Sequence, residues 1–472
     1  MPLILPGNVA SAVPTAFSID NSCRFDDGDT AWMEKDSSSV AEKKIGTISF
    51  WMKRGNITAA QTNIVNHNDT GYCVVALLAG SQIRFYSGEH DLSSTAVLRD
   101  PAAWYHIFAN WDTTQAVAAN RAKLYVNGVQ VTLFATETYP DANDELPFFV
   151  DSEAVVVGRN PSPGNYFDGY LAEVVVLEGT AAAVTAFGEF DSDSPTIWKP
   201  IEHAQSGNKG ANGFHLDFKA SGNLGNDAYG GTDLDETDLA AVDQATDSPT
   251  NNFCVMNPLD NYFAAMTFTQ GNCRITSTGN KAYATGTVGL TAGKWYWEVK
   301  VAAEAAGAYS MVGIADVPAT GTTTNFALGY TATTWCYYAY DGGYRNSNST
   351  TSYGDAYAAN DIIGVYLDLD NNKLYFGKDN TWMNSGDPTS GATGTGAISI
   401  TDPASTTSGF YFAGCAEWDN SGTSTFKFNF GGCPAFAITS AQSDDNNLGK
   451  FEYDPPANFL SICSSNLGST GG

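Results

Sequence analysis

The stretch DLDNNKLYFGKDNTWMNSGDP (Asp368–Pro388) decides whether the second half of the chain binds a metal ion or folds into tight strand pairs. Its first residues place carboxylate and amide side chains at alternating positions, as a calcium loop does. Such a loop needs glycine at its sixth position and glutamate at its twelfth, where this chain has Lys373 and Asp379. Asn371 and Asn372 can adopt the positive φ of a tight turn, and the next residues alternate as in a strand. The stretch therefore predicts two successive hairpins of a β-sandwich.

The same strand rhythm extends through both halves of the chain. In the second half, KWYWEVKV (294–301) places Trp295, Trp297, Val299 and Val301 on one face of a strand. STFKFNF (424–430) likewise has phenylalanine at every second position from 426 to 430. In the first half, RAKLYVNGVQV (121–131) places Asn127-Gly128 between two apolar runs, which is a strong hairpin signal. A chain of 472 residues is too long for one ordinary core. We therefore predict an all-β protein with two antiparallel β-sandwiches in tandem.

A segment rich in Gly, Asp and Asn separates the two sets of strands and fixes the predicted domain plan. It contains one strand candidate, NGFHLDF (212–218), and a helical turn is expected near 237–242. The predicted plan is an N-terminal extension (1–14), a first sandwich (15–195), a connector (196–246), a second sandwich (247–466) and a C-terminal tail (467–472).

Charge and composition exclude several classes of partner. The formal net charge is −28 and the pI is about 4.3, so the surface repels nucleic acid and anionic membranes. The sequence has no apolar run long enough for membrane insertion. The N-terminal residues lack a basic region, and Pro6 and Gly7 interrupt their apolar run, so we expect synthesis in a cytoplasm without a signal peptide.

None of the eight cysteines forms a CxxC pair, which favours buried free thiols over zinc ligands or disulfides.

Several motifs resemble two known domain families. WYHIFANWDTTQ (104–115), AKLYVNGVQV (122–131) and FDGYLAEVVVLEG (167–179) are similar to LamG-like, concanavalin A-type lectin domains. GKWYWEVKV (293–301), the opening stretch and FNFGGCPAF (428–436) resemble a SPRY domain. These resemblances imply a lectin-like sandwich followed by a SPRY sandwich.

The order of these motifs, joined through NGFHLDF and DSPTNNFCVMNPLD (247–260), resembles virion proteins of tailed bacteriophages. That resemblance implies a structural or fibre-type virion component that touches the host surface. It further implies other virion proteins as partners, a homo-oligomer with a trimer favoured, and a host glycan or protein as ligand. Such a protein is made in the host cytoplasm and released by lysis. The alternatives are a purely structural head-decoration or neck or tail connector protein, and a secreted glycan-active enzyme.

Catalytic signals are weak. Laminarinase-type hydrolases share the sandwich fold and use an E-x-D-x-x-E strand, whereas this chain offers only EFDSD (Glu189–Asp193) with the wrong spacing. All five histidines precede residue 216, so the second half has no Ser-His-Asp triad of its own. His106 is interpreted as a structural strand residue. We therefore expect a protein that is not an enzyme.

Calcium is the one cofactor that the lectin resemblance suggests, at the ends of loops. Asp112, after FANW, and Asp168, in FDGY, are candidate ligands by position. Neither belongs to a dense run of acids in the sequence, so solvated loop carboxylates are the alternative.

A tyrosine-rich run, WCYYAYDGGYRNSNSTTSYGDAY (335–357), indicates a binding surface for a sugar or a protein. Tyrosine and tryptophan offer a large contact area together with a polar group. Strand alternation would bury about half of these aromatic residues in the core. The predicted ligand-binding residues are Tyr338, Tyr340, Asp341, Tyr344, Arg345 and Asn346.

Overall fold

The computed structural model describes residues 17–38, 42–58, 61–67, 73–160, 164–203, 209–262, 266–277, 282–304, 307, 309–317, 328–418 and 422–470. The described residues divide into two compact units, of which the first ends at Thr250 and the second begins at Asn251. The predicted N-terminal extension (1–14) and the last two residues of the predicted tail lie outside the described residues. The predicted fold class is confirmed: both units are built almost entirely from antiparallel sheets.

The first unit contains eighteen strands within the described residues. They are β1 Ser22–Phe25, β2 Trp32–Asp36, β3 Ile45–Arg54, β4 Gln61–His67, β5 Cys73–Leu78, β6 Gln82–Ser87, β7 His90–Val97, β8 Trp104–Asp112, β9 Ala122–Val126, β10 Val129–Gln130, β11 Phe134–Thr138, β12 Ala154–Val157, β13 Gly169–Glu178, β14 Gly188–Phe190, β15 Trp198–Pro200, β16 Phe214–Leu216, β17 Asp235–Thr237 and β18 Gln244–Ala245. Short 3₁₀ turns occur at Ala118–Asn120, Val184–Ala186 and Ala241–Asp243.

Two eight-stranded sheets form the first sandwich. One has the order β10-β9-β8-β3-β13-β1-β18 with β16 added to β13, and the other has the order β11-β7-β6-β5-β4-β12-β2-β17. Ile48, Phe50 and Met52 of β3 alternate into the core between the sheets. Trp51 points to the other face and packs against His106, with ring centroids 4.9 Å apart. The hairpin predicted at Asn127-Gly128 is confirmed, because β9 and β10 pair around it.

The predicted connector is in fact part of the first sandwich. Three of its strands join the two sheets: β16 pairs with β13, β17 with β2 and β18 with β1. Beyond them, the buried Asp247 accepts hydrogen bonds from Lys53 at 2.6 Å and from the indole of Trp104 at 3.0 Å. The correction has a simple physical reason, since loop-like composition does not prevent short segments from pairing with sheet edges far away in the sequence.

The second unit contains sixteen strands and one helix within the described residues. They are β19 Met256–Tyr262, β20 Thr267–Thr269, β21 Arg274–Thr276, β22 Tyr283–Gly286, β23 Lys294–Ala303, β24 Ser310–Ala315, β25 Thr334–Tyr338, β26 Tyr344–Asn346, β27 Ser349–Thr351, β28 Ile362–Asp368, β29 Lys373–Lys378, β30 Thr381–Trp382, β31 Ile398–Ser399, β32 Phe412–Glu417, β33 Thr425–Asn429, β34 Leu460–Ser461 and α1 Ser464–Thr470. Short 3₁₀ turns occur at Met383–Ser385, Pro388–Thr393 and Pro403–Ser405.

A seven-stranded sheet, β19-β22-β32-β24-β25-β26-β27, and a nine-stranded sheet built on β20-β21-β33-β23-β28-β29-β30 form the second sandwich. In the larger sheet β31 pairs with β29, and β34 runs parallel to β23. The core between the sheets includes Trp295, Trp297 and Phe428. None of the described helices is long and apolar enough to cross a membrane.

The double hairpin predicted from the opening stretch is confirmed. β28 pairs with β29 around a turn in which Asn372 has φ 55°, and β29 pairs with β30 around Asp379 and Asn380 at φ 47° and 63°. Both oxygens of the buried Asp368 carboxylate accept hydrogen bonds from Asn371, which closes the first turn. The carboxylate that suggested a calcium loop therefore stabilises the turn through hydrogen bonds.

All eight cysteines are buried and free, as predicted.

Candidate binding surface

Strand alternation sorts the tyrosine-rich run between the two faces of the seven-stranded sheet. In β25, Trp335 and Tyr337 point into the core, whereas Cys336 and Tyr338 point to the outer face. Met311 of β24 and Ala416 of β32 line the same outer face. This face therefore carries a second apolar cluster outside the sandwich core.

Three tyrosines build a stack on this outer face. Tyr309 lies parallel to Tyr340, with ring centroids 5.9 Å apart and an interplanar angle of 12°. Tyr338 completes the group at 6.4 Å from Tyr309 and 6.0 Å from Tyr340. Tyr338 is buried, while 60% of Tyr340 is exposed to solvent. The stack thus presents a supported aromatic ring to the outside.

Arg345 extends the stack toward two further aromatic rings. Its guanidinium lies 5.1 Å from the ring of Tyr338 and 5.3 Å from that of Tyr330. Tyr330 in turn stacks on Trp418 with centroids 4.5 Å apart. We call these six residues, Tyr309, Tyr330, Tyr338, Tyr340, Arg345 and Trp418, the aromatic platform.

Burial keeps two of the platform tyrosines neutral. Burial raises the pKa of Tyr330 and Tyr338, and this effect outweighs the opposing influence of Arg345. Both phenols therefore stay protonated near neutral pH and can donate hydrogen bonds. The platform combines apolar ring faces, phenolic hydroxyls and one fixed cation.

The structure separates the six predicted ligand-binding residues. Tyr338, Tyr340 and Arg345 join the platform, and the exposed Asp341 lies in the turn beside it, where it accepts a hydrogen bond from the amide of Gly343. Tyr344 packs instead against the sandwich core, because it alternates with Arg345 on β26.

Asn346 also has a structural role, since its amide donates to the carbonyls of Thr331 and Thr334. Sequence reasoning missed Tyr309, Tyr330 and Trp418. Tyr309 is found only through pairing, because β24 and β25 align Met311 with Tyr338.

The two calcium candidates lie in different environments. The carboxylate of Asp112 accepts hydrogen bonds from Thr114 and Gln115 in its own turn, beside a polar groove of about 330 Å³. Burial acts to raise the pKa of Asp112, but these hydrogen bonds outweigh it and the pKa is lowered. Asp168 is buried beside Asp26 and Asp27, the one group of three metal-ligating side chains found among the described residues.

The histidine and acid candidates for catalysis are engaged in structural contacts. The indole of Trp198 donates to Nδ1 of His106 at 3.1 Å, so the ring proton of neutral His106 lies on Nε2 and is donated to Ser49. Burial lowers the pKa of His106 to about 3. This histidine therefore cannot accept a proton from Ser49 as a triad base would.

In the EFDSD segment, Asp191 accepts hydrogen bonds from the amides of Ser194 and Asp193, which lower its pKa. Lys199 lies within 3.4 Å of both Glu189 and Asp191. A glycosidase acid needs a raised pKa instead. The segment thus contains the end of β14 and the turn after it, and Lys199 of β15 bridges two of its carboxylates.

The fold and its sequence signatures define this protein as a tandem of two β-sandwich domains. Residues 27–185 match the concanavalin A-like lectin/glucanases superfamily, and residues 294–432 match the SPRY domain. The chain thus carries a concanavalin A-like, laminin-G-type domain followed by a SPRY domain. The sequence has no significant match among curated proteins.

Several solved structures match parts of this chain at low identity and low TM-score. The SPRY domain of human HERC1 is 17% identical, with 39% of this chain and 99% of that chain covered and a TM-score of 0.28. Another human SPRY domain is 13% identical over 35% of this chain and 96% of its own, with a TM-score of 0.26. A Bacteroides ovatus protein described as a candidate carbohydrate-binding protein is 14% identical over 36% of this chain and 46% of its own, with a TM-score of 0.26.

Proposed function

We propose that this protein is a non-enzymatic adhesin of a tailed-phage virion that binds a host surface glycan through the aromatic platform of its SPRY domain. One observation carries the binding proposal: Tyr340 is 60% exposed although it is stacked on Tyr309. The exposed ring of Tyr340 continues into the half-buried rings of Tyr309, Tyr330 and Trp418. A contiguous exposed apolar patch is typical of an interaction site.

The chemistry of the platform fits a sugar better than a purely apolar ligand. A pyranose offers an apolar C–H face, which packs on an aromatic ring, and hydroxyls at its edge. Arg345 can donate to ring or hydroxyl oxygens, and Asp341 can accept from hydroxyls at the rim. Because the rings are already packed together, binding loses little side-chain entropy.

The virion assignment is supported by the combination of domains. A laminin-G-type domain joined to a SPRY domain through the motifs NGFHLDF and DSPTNNFCVMNPLD resembles phage virion proteins. On this proposal the partners are other virion proteins and further copies of the chain, with a trimer favoured. The strongly acidic composition, with a net charge of −28, disfavours nucleic acid as a ligand.

The absence of enzyme activity is part of the proposal. It is supported by the tautomer of His106 and by the lowered pKa of Asp191, which leave neither residue suited to acid–base work. Release of reducing sugar from bacterial or algal polysaccharides by the purified protein would contradict it.

Binding of the full-length protein to an array of bacterial surface glycans tests the proposal. We expect a restricted set of glycans to bind to the wild type and to bind less to Tyr340→Ala. An array on which no glycan binds would contradict the glycan proposal and favour the purely structural alternative. Immunogold labelling of intact phage particles tests the virion assignment, and particles without label would contradict it.

A further inference from the structure

Three carboxylates from distant parts of the sequence meet at one end of the first sandwich. Asp26 and Asp27 follow β1 directly, and Asp168 precedes β13 directly. β1 and β13 pair antiparallel with Phe25 opposite Gly169, so the register places these carboxylates side by side. A ligand atom from each of the three lies within 4.8 Å of the others.

Asp168 is the buried member of this group, with 2% of its surface exposed. One of its oxygens accepts a hydrogen bond of 2.9 Å from the amide of Asn56, while Oδ2 has no hydrogen-bond partner among the described residues. A Cβ atom at Gly55 would lie 1.5 Å from the first oxygen, so the chain has left space at this position for the carboxylate. A buried carboxylate with an unused oxygen is costly unless something binds it.

Within the described part of the chain, the neighbouring groups do not neutralise the three charges. Asp26 accepts from the amide of Gly28, and Asp27 accepts from the side chain of Asn56, and both donors are neutral. Arg24 is the cation that acts on Asp26 and Asp168, but its guanidinium forms an ion pair with Asp243 at 3.0 Å. The site therefore needs either a proton or a cation.

We propose that Asp26, Asp27 and Asp168 bind one calcium ion, which fastens the end of β1 to the start of β13. The ligands are all hard oxygen donors, as calcium prefers, and water completes the six to eight positions. Calcium–oxygen distances of about 2.3–2.6 Å allow opposite ligands to be roughly 5 Å apart, so three oxygens within 4.8 Å of one another can share one calcium ion. Magnesium usually keeps several waters and binds through only one or two protein carboxylates, so a group of three carboxylates favours calcium.

Isothermal titration of the EGTA-treated full-length protein with calcium chloride tests the proposal. We expect one calcium to bind per chain, no binding to Asp168→Asn and unchanged binding to Asp112→Asn, the matched control in the same unit. Asp27→Asn provides a second loss-of-binding variant at a less buried position if Asp168→Asn does not fold. Wild-type protein that does not bind calcium, or equal binding by all variants, would overturn the proposal.

Thermal unfolding adds a readout that a purely structural aspartate would not give. In calcium-free buffer Asp168→Asn should melt above the wild type, because the amide fills the site without needing a proton or a cation. Calcium should raise the melting temperature of the wild type and leave that of Asp168→Asn unchanged. A variant that melts lower and still responds to calcium would contradict the site, and an equal wild-type response to magnesium would contradict the choice of calcium.

Discussion

Tyr309 and Tyr340 lie on the outer face of the SPRY sheet with their rings 5.9 Å apart and inclined by only 12°. Tyr309 precedes β24 and Tyr340 follows β25, so the antiparallel pairing of these strands brings the rings together. One face of Tyr340 is supported by Tyr309, and 60% of the residue remains exposed. This relationship turns a tyrosine-rich sequence into a defined aromatic surface, for which we propose glycan binding.

Removing the exposed ring should weaken glycan binding without unfolding the domain. We expect Tyr340→Ala to raise the Kd for a glycan selected on the array roughly three- to tenfold, since ring stacking contributes about 0.5–1.5 kcal/mol. Trp382→Ala is the control, because Trp382 is 38% exposed on a strand of the other sheet. Isothermal titration measures both, and equal losses of affinity would contradict a platform-specific site.

Gly55 should tolerate no side chain. A Cβ there would lie 1.5 Å from Oδ1 of Asp168, so Gly55→Ala must displace the buried carboxylate. We expect a loss of about 1–3 kcal/mol in the free energy of unfolding of the first unit, as for other overpacked sites. Gly222→Ala is the control, since a Cβ at Gly222 meets nothing within 4 Å. Urea unfolding that shows no difference between the two variants would contradict the close approach.

The buried ion pair between Lys53 and Asp247 should be essential to the first unit. Both side chains are almost fully buried, and they are 2.6 Å apart. Asp247→Ala leaves the ammonium without its carboxylate, which typically costs about 3–5 kcal/mol. Asp217→Ala removes the partner of the more exposed Lys219 and should cost less than about 1 kcal/mol. Chemical denaturation compares the two, and similar losses would show that the buried pair is not critical.

Glu304 should make the second unit less stable as pH rises toward neutrality. Burial is the main cause that raises its pKa to about 7 from a usual value of 4.5. The folded protein therefore holds a proton that the unfolded chain releases, so stability is fully present below pH 4.5 and is lost progressively up to about pH 7. Glu304→Gln should flatten this dependence, as measured by melting temperature between these pH values. An unchanged slope in the variant would contradict the assignment to Glu304.

Local patterns explain which parts of the fold could be predicted. The hairpins at Asn127-Gly128 and around Asn372 follow from turn residues that accept positive φ between alternating strands. The strands β16, β17 and β18 were not predicted in full, because they pair with β13, β2 and β1 across long stretches of sequence. The segments around these strands are rich in turn residues. They form strands because they pair with β13, β2 and β1.

The candidate sites likewise contain residues that the local sequence predicts and residues that only strand pairing brings together. Tyr338, Tyr340 and Arg345 stand in one tyrosine-rich run and were predicted from it, but Tyr309 and Trp418 reach the platform through strand pairing. Asp26 and Asp27 were not predicted as calcium ligands for the same reason, because neither segment's sequence reveals the register of β1 against β13. A surface assembled across a sheet becomes visible only when the register is known.

A crystal structure of the protein bound to the glycan that ranks highest on the array tests the central claim most directly. The proposed function predicts a sugar ring lying against the exposed face of Tyr340, with hydroxyls or ring oxygens within hydrogen-bond distance of Arg345 or Asp341. A glycan bound to any other surface, with the ring of Tyr340 left uncovered, would contradict it.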